Sequence, residues 1–301
     1  MTHLQIKTFG KFQLHYKGQV AAHFPTQSVE ELLAFLVLHP HLKHSRLKLI
    51  DLLWPDCSEQ QGRGRLNTAV WRLRGVFDAL EFAYEDVLLT SRSWISIHAK
   101  SAMQVDCKTF EKYQQSASQE EDLTQKEAWL RQALVLYQGE FCEGIYADWC
   151  LLERERLARL HLRTLGQLMH CYMQSSEYEK AVEIGQQILQ VDPLREEVHR
   201  ALMRCYYRLE QYTQAIRQFH TCSRLLQSEL QVYPMPATVT LFSQIAAERS
   251  SGLRQPTNAS HSLTDEIQEA VFQLQTASRN LSQLLVKYEP DTYTPDQTAR
   301  Q

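Results

Sequence analysis

The spacing of apolar residues changes character several times along the first hundred positions. Leu4 and Ile6 alternate with polar neighbours, as do Phe12 and Leu14, and Lys17-Gly18 supplies a turn, so residues 4–20 predict short strands. The period then lengthens to that of helices. Ser28 is placed to cap a run through Glu30, Leu32, Leu33, Phe35, Leu36 and Leu38 that Pro40 ends, and Ser45 to cap residues 47–53, ended by Trp54-Pro55. Over residues 62–80, Leu66, Val70, Leu73, Phe77 and Leu80 recur at the three-and-four spacing of a buried stripe. At about 100° per residue, Asn67, Thr68, Trp71 and Gly75 face the other way, with Arg72 and Arg74 flanking them on opposite sides. Two β-rich runs at 87–90 and 94–97 enclose Ser91-Arg92-Ser93 as a hairpin. Three helices followed at once by a hairpin predict a winged helix over residues 1–100, of α+β type.

From Asp106 the pattern is helical throughout, with helices expected at about 123–137, 148–173, 178–190, 195–209, 212–230 and 236–248. Sliding the chain against itself by 34 residues aligns Leu168-Met169-x-Cys171-Tyr172 with Leu202-Met203-x-Cys205-Tyr206, and Tyr178-x-x-Ala181-Val182 with Tyr212-x-x-Ala215-Ile216. That period is the tetratricopeptide period, so residues 106–248 predict a helical repeat domain, with small alanines letting paired helices approach. The ending Leu-Gln-Val-x-Pro recurs 41 residues after its first occurrence, which predicts that the helix from 212 is longer by roughly two turns. Residues 249–262 read as a linker, 263–288 as an amphipathic C-terminal helix with a heptad stripe, and 289–301 as a tail. The fold class expected is thus mainly α.

Charge adds an asymmetry. Residues 1–100 carry 12 Lys and Arg against 9 Asp and Glu, and the remainder 20 against 26. A mildly basic front and an acidic rear fit a nucleic-acid module joined to a protein-binding one. No run of eighteen apolar residues and no signal-peptide pattern is present, so a cytoplasmic protein without membrane contact is expected. Seven singly scattered cysteines, with no Cys-x-x-Cys, read as reduced packing residues.

The outward face of the third helix is the candidate site. Short polar groups at Asn67 and Thr68 suit base edges, and guanidinium groups at Arg72 and Arg74 suit phosphate or guanine. Arg63 and Arg65 lie at the start of this helix, where free backbone N–H groups already favour phosphate. Trp71 suits either stacking on DNA or packing on a neighbour, and the sequence leaves both open. His39-Pro-His41-x-x-His44 lacks a fourth ligand nearby and reads as a turn, not a metal site. The run Glu153-Arg154-Glu155-Arg156 reads as a solvated face. No nucleophile, acid–base or P-loop arrangement stands out, so neither an enzyme nor a cofactor is expected.

Several segments together resemble a known family. Thr8-Phe9-Gly10-Lys11-Phe12, Arg46-x-x-Leu49-Ile50-x-Leu52-Leu53-Trp54, Arg63-x-x-Leu66-x-x-Ala69-Val70-x-Arg72-Leu73-Arg74 and Leu134-x-Leu136-Tyr137-x-Gly139-x-Phe141 are similar to SARP-type bacterial transcriptional regulators. Trp149-x-x-x-Glu153-Arg154-x-Arg156-Leu157, Asp192-Pro193-Leu194-Arg195-Glu196 and Leu225-Leu226-x-x-Glu229-Leu230 extend the resemblance over residues 4–248. It implies an OmpR-like winged helix followed by a bacterial transcriptional activator domain. It further implies double-stranded DNA as partner, Arg72 and Arg74 on DNA, and Thr90 and Arg92 of the wing on flanking phosphate. RNA polymerase or another regulator is the protein partner implied for the repeats, and a homodimer would add avidity. The alternative is a tetratricopeptide-type adaptor whose winged helix no longer binds DNA, motivated by Trp71 and Gly75 where relatives carry polar or basic residues.

Overall fold

In the computed structural model, residues 3–21, 23–98 and 103–252 are described. The chain opens with β1 (Leu4–Lys7), β2 (Gln13–Tyr16) and β3 (Gln19–Ala21), joined as an antiparallel meander with Ile6 opposite Leu14. Leu4, Ile6 and Leu14 are fully buried, the inward half of the alternation. Lys17 and Gly18 both take positive φ, 47° and 82°, as a tight two-residue hairpin turn requires.

The three helices of the winged helix follow as α1 (Gln27–Leu38), α2 (Arg46–Leu53) and α3 (Glu59–Ala79), with β4 (His44–Ser45) before α2 and β5 (Leu88–Thr90) and β6 (Trp94–Ile97) after α3. The last two form the hairpin, Leu88 opposite Ile97 and Thr90 opposite Ile95. Three details depart from expectation. Helix α1 opens after Thr26, whose carbonyl accepts from Val29 N at 3.0 Å, so Ser28 lies inside the first turn and caps nothing. Ser45 precedes α2 as expected but makes no side-chain cap bond. Helix α3 begins at Glu59, nearly a turn before Gly62, because Ser58 Oγ accepts from Gln61 N at 3.5 Å.

Gly62 sets how closely α2 and α3 cross. A Cβ there would stand 2.2 Å from Cγ2 of Ile50, so no larger residue fits without displacing Ile50 or one helix.

After β7 (Met103–Val105), which pairs parallel to β1, come α4 (Asp106–Gln119), α5 (Leu123–Leu136), α6 (Asp148–Gln174), α7 (Tyr178–Val191), α8 (Glu196–Arg208), α9 (Tyr212–Glu229) and α10 (Pro236–Gly252). The first sheet therefore has the order β3-β2-β1-β7, and the second β4-β6-β5. One core runs from the first strands into the helices: Phe9 packs edge-on to Phe110 at 5.5 Å and against Tyr137 at 4.7 Å, and Phe141, Cys150 and Leu157 join it. Asp106 clasps this junction. Its carboxylate accepts from Thr8 N, Thr8 Oγ1, Phe9 N and Cys107 N at 2.5–3.1 Å, while burial raises its pKa against those bonds.

The 34-residue repeat is geometric as well as sequential. Ser176 and Glu210 take φ of 61° and 59° in equivalent turns, and Glu177 N and Gln211 N each donate at 2.8 Å to the carbonyls of Tyr172 and Tyr206. Ala181 and Gly185 form the close face of α7. A Cβ at Gly185 would meet Leu202 at 2.7 Å and Met169 at 2.9 Å. Helix α9, with 18 residues against 14 in α7, is longer by about one turn, not two. The remaining extra residues enter the connection to α10, whose first turn is held by buried Glu196 accepting from Met235 N at 2.7 Å and Thr238 Oγ1 at 2.5 Å.

Helix α10 carries on to Gly252, so the first residues of the expected linker are helical. The rest of that linker, the expected helix at 263–288 and the tail lie outside the described residues. Among the described residues no helix is long and apolar enough to cross a membrane.

Candidate nucleic-acid interface

Helix α3 buries Leu66, Ala69, Val70, Leu73, Val76 and Phe77, which turns Arg63, Gly64, Asn67, Thr68, Trp71 and Gly75 outward. Trp71 is 71% exposed and has no aromatic partner among the described residues, so most of its side chain is open to solvent. Arg65, Arg72 and Arg92 make no ion pair among the described residues; Arg72 is half-buried, and Arg65 and Arg92 are exposed. Arg63 is the exception on this face, pairing with Glu59 one turn earlier at 2.5 Å.

The hairpin is braced to α3 by two arginines. Arg74 donates from Nη2 to Thr90 Oγ1 at 3.0 Å and lies 5.1 Å over the Tyr84 ring, with its Nε buried and unpartnered. Two of the expected contact residues, Arg74 and Thr90, are thus brought together. On the other side of the hairpin Arg46, the first residue of α2, donates from Nη1 to the Ser91 carbonyl at 3.4 Å and from Nη2 to Asn67 Oδ1, while its backbone N–H donates to Ser93 O at 3.0 Å. Burial, and then the nearby charge of Arg63, lower the Arg46 pKa from its ordinary value.

Reasoning on α3 alone misses Arg46. The signal available was its place in the Arg46-x-x-Leu49-Ile50 segment: a cation at the N-terminus of α2, where the dipole opposes it, needs an acceptor from elsewhere.

Beyond Trp71 lies an open cavity of about 810 Å³ between β3 and the second half of α3, lined in part by Val20, His23, Trp71, Arg72, Arg74 and Tyr84. Elsewhere His39 and His44 stand 5.6 Å apart, ring edge to ring face, with His39 Nδ1 3.1 Å from the Phe35 carbonyl. Burial lowers the His44 pKa. The seven cysteines are all free thiols, six of them buried.

Only Glu155 of the run 153–156 lies on a solvated face. Arg154, whose side chain is only 14% exposed, donates to the carbonyls of Phe141, Cys142 and Ile145 at 2.9–3.0 Å. Arg156 pairs with Glu153 and Glu111, so it ties α6 to α4. The loop before α6 turns three carbonyls inward, and a buried acceptor row draws a cation in.

Residues 105–246 match the family model of the bacterial transcriptional activator domain. The regulatory protein AfsR of Streptomyces coelicolor is 26% identical over 217 residues, which is 71% of this chain and 21% of that protein. The chain therefore spans about a fifth of the length of that relative. Among solved structures, EmbR of Mycobacterium tuberculosis, determined in complex with a low affinity phosphopeptide, superposes with a TM-score of 0.72 at 16% identity, covering 91% of this chain and 72% of that one. That likeness supports the arrangement of a winged helix followed by helical repeats.

Proposed function

We propose that this chain, whose residues 105–246 match the bacterial transcriptional activator domain, is a SARP-type regulator, a sequence-specific DNA-binding activator that reads its site with α3 in the major groove. Supporting this reading is the braced geometry of α3 and the β5–β6 hairpin. Arg46 and Arg74 hold the two at fixed spacing while Asn67, Thr68, Arg65 and Arg72 remain outward, which suits one element in a groove and the other on the adjoining backbone. Arg92 at the hairpin tip then meets phosphate, with Thr90 beside it. Arg63 contributes less, since Glu59 neutralises it. The repeats α6–α10 supply the protein-binding surface, toward polymerase, a second regulator or another copy of this chain.

Footprinting of the full chain on genomic fragments at two salt concentrations tests the reading. A defined protected site is expected, weakened steeply as salt rises because phosphate contacts release counterions. Protection of no site at any salt concentration would favour the adaptor alternative.

A further inference from the structure

Intramolecular bonds fix the hydrogen-bonding polarity of the two short polar residues on the outward face of α3. A guanidinium has donors and no acceptor, so the bond from Arg46 Nη2 obliges Asn67 to turn its amide oxygen toward Arg46. The Asn67 NH2 then faces outward, with no partner of its own among the described residues. Arg46 is held in turn by the Ser91 carbonyl, through Nη1, and by its own backbone N–H on Ser93 O. At the next position Thr68 Oγ1 donates to the Gly64 carbonyl at 3.0 Å, which spends its proton and leaves only lone pairs for a ligand.

We propose that Arg46 is a positioning residue that sets base preference: by locking the Asn67 amide it leaves donors alone facing the groove, and so selects guanine. The inference rests on the DNA-binding reading above. Asparagine ordinarily pairs bidentately with adenine, giving to N7 and accepting from N6. With its oxygen turned toward Arg46, Asn67 presents its NH2 to the groove, and the adenine N6 amine meets another donor. Guanine presents N7 and O6, both acceptors, and no amine on that edge. Thr68, an acceptor, complements the N4 amine of the paired cytosine.

Selection from randomised duplexes followed by sequencing tests this. The position facing Asn67 is identified as the one whose preference disappears in Asn67→Ala. There the unsubstituted protein should favour guanine over adenine by about tenfold or more. In Arg46→Met the freed amide should admit adenine to near parity, with the preferences at other positions kept. In Asn67→Asp an outward acceptor replaces the donor, and preference should pass from guanine to cytosine. Adenine preferred by the unsubstituted protein at that position overturns the proposal, as does unchanged discrimination in Arg46→Met. Should thermal melting show Arg46→Met to be unfolded, Asn67→Asp decides alone, and guanine retained there overturns it. Enriched sites with no position sensitive to Asn67→Ala overturn this proposal and leave DNA binding standing. No enriched site with the unsubstituted protein overturns both.

Discussion

Arg72 and Arg74 on α3 and Arg154 and Arg156 on α6 share the spacing Arg-x-Arg, yet they meet different surroundings. Arg154 gives its donors to three inward carbonyls, and Arg156 gives its own to Glu153 and Glu111. Arg72 has no ion pair among the described residues, and Arg74 holds one hydroxyl and one ring. Spacing and charge do not separate the two pairs. What separates them is whether the fold supplies acceptors: an arginine with its fork filled is part of the scaffold, and one with its fork open is available to a partner.

The comparison breaks most visibly at Arg154. Arg154→Ala strips a donor from three carbonyls and leaves those of Phe141 and Ile145 unpaired, Cys142 O keeping the Ile145 N–H, and should cost about 3 kcal/mol of stability in denaturant unfolding. An effect under about 0.5 kcal/mol would show the loop re-solvating freely and erase the distinction. Next is the pair on α3. Arg72→Ala/Arg74→Ala should lower DNA affinity by about 10- to 100-fold at fixed salt and reduce the salt slope by about two, measured by fluorescence anisotropy. Its unfolding free energy should fall by about 1–2 kcal/mol, less than for Arg154→Ala, since only the Thr90 bond and the Tyr84 contact of Arg74 are lost. Binding retained in the double variant would refute the assignment of these residues.

Smaller is the effect at Arg156. Burial works to raise the Glu153 carboxyl pKa, but hydrogen bonds and charge from Arg156 outweigh it and hold it below the ordinary value. A depressed carboxylate stabilises above its unfolded pKa and loses that contribution as pH falls through the folded one. Arg156→Gln should therefore cost about 1 kcal/mol near neutral pH, with the difference from the unsubstituted protein shrinking below about pH 4.5, as denaturation at a series of pH values would show. Smallest is Gly75→Ala. Nothing lies within 4 Å of a Cβ there, so helix propensity should raise stability by up to about 1 kcal/mol. A sharp loss of DNA binding in this variant would show that α3 approaches DNA closely at that position, and would sharpen the boundary of the open-fork region.

The buried stripe of α3, the hairpin after it and the 34-residue register are legible in sequence because each is a local periodicity sustained over many residues. Strand β4 and strand β7 are not, since two or three residues show no alternation and their partners lie far along the chain. Helix α4 falls within the general helical pattern from Asp106 but not among the individual helices expected. For the same reason the outward orientation of Asn67 and Thr68 follows from the helix, while the bond from Arg46 that fixes one of them needs residues 46, 67 and 91 in one place. The inward role of Arg154 is not legible because the carbonyls that capture it belong to backbone, which carries no sequence signature at all.

The clasp of Asp106 on Thr8 and Phe9 bears on the order of assembly during synthesis. β1 has its antiparallel partner within ten residues, but its other edge stays open until residues 103–105 have left the ribosome, and Asp106 follows immediately. The nascent front half thus waits with the β1 edge exposed as well as that of β3, the kind of edge that recruits wrong neighbours. A fragment cut at residue 100 would be held at that stage permanently, lacking β7, the Asp106 carboxylate and the Phe110 ring. Covering the β1 edge, on this view, is a checkpoint that commits the winged helix to fold together with the repeats that follow it.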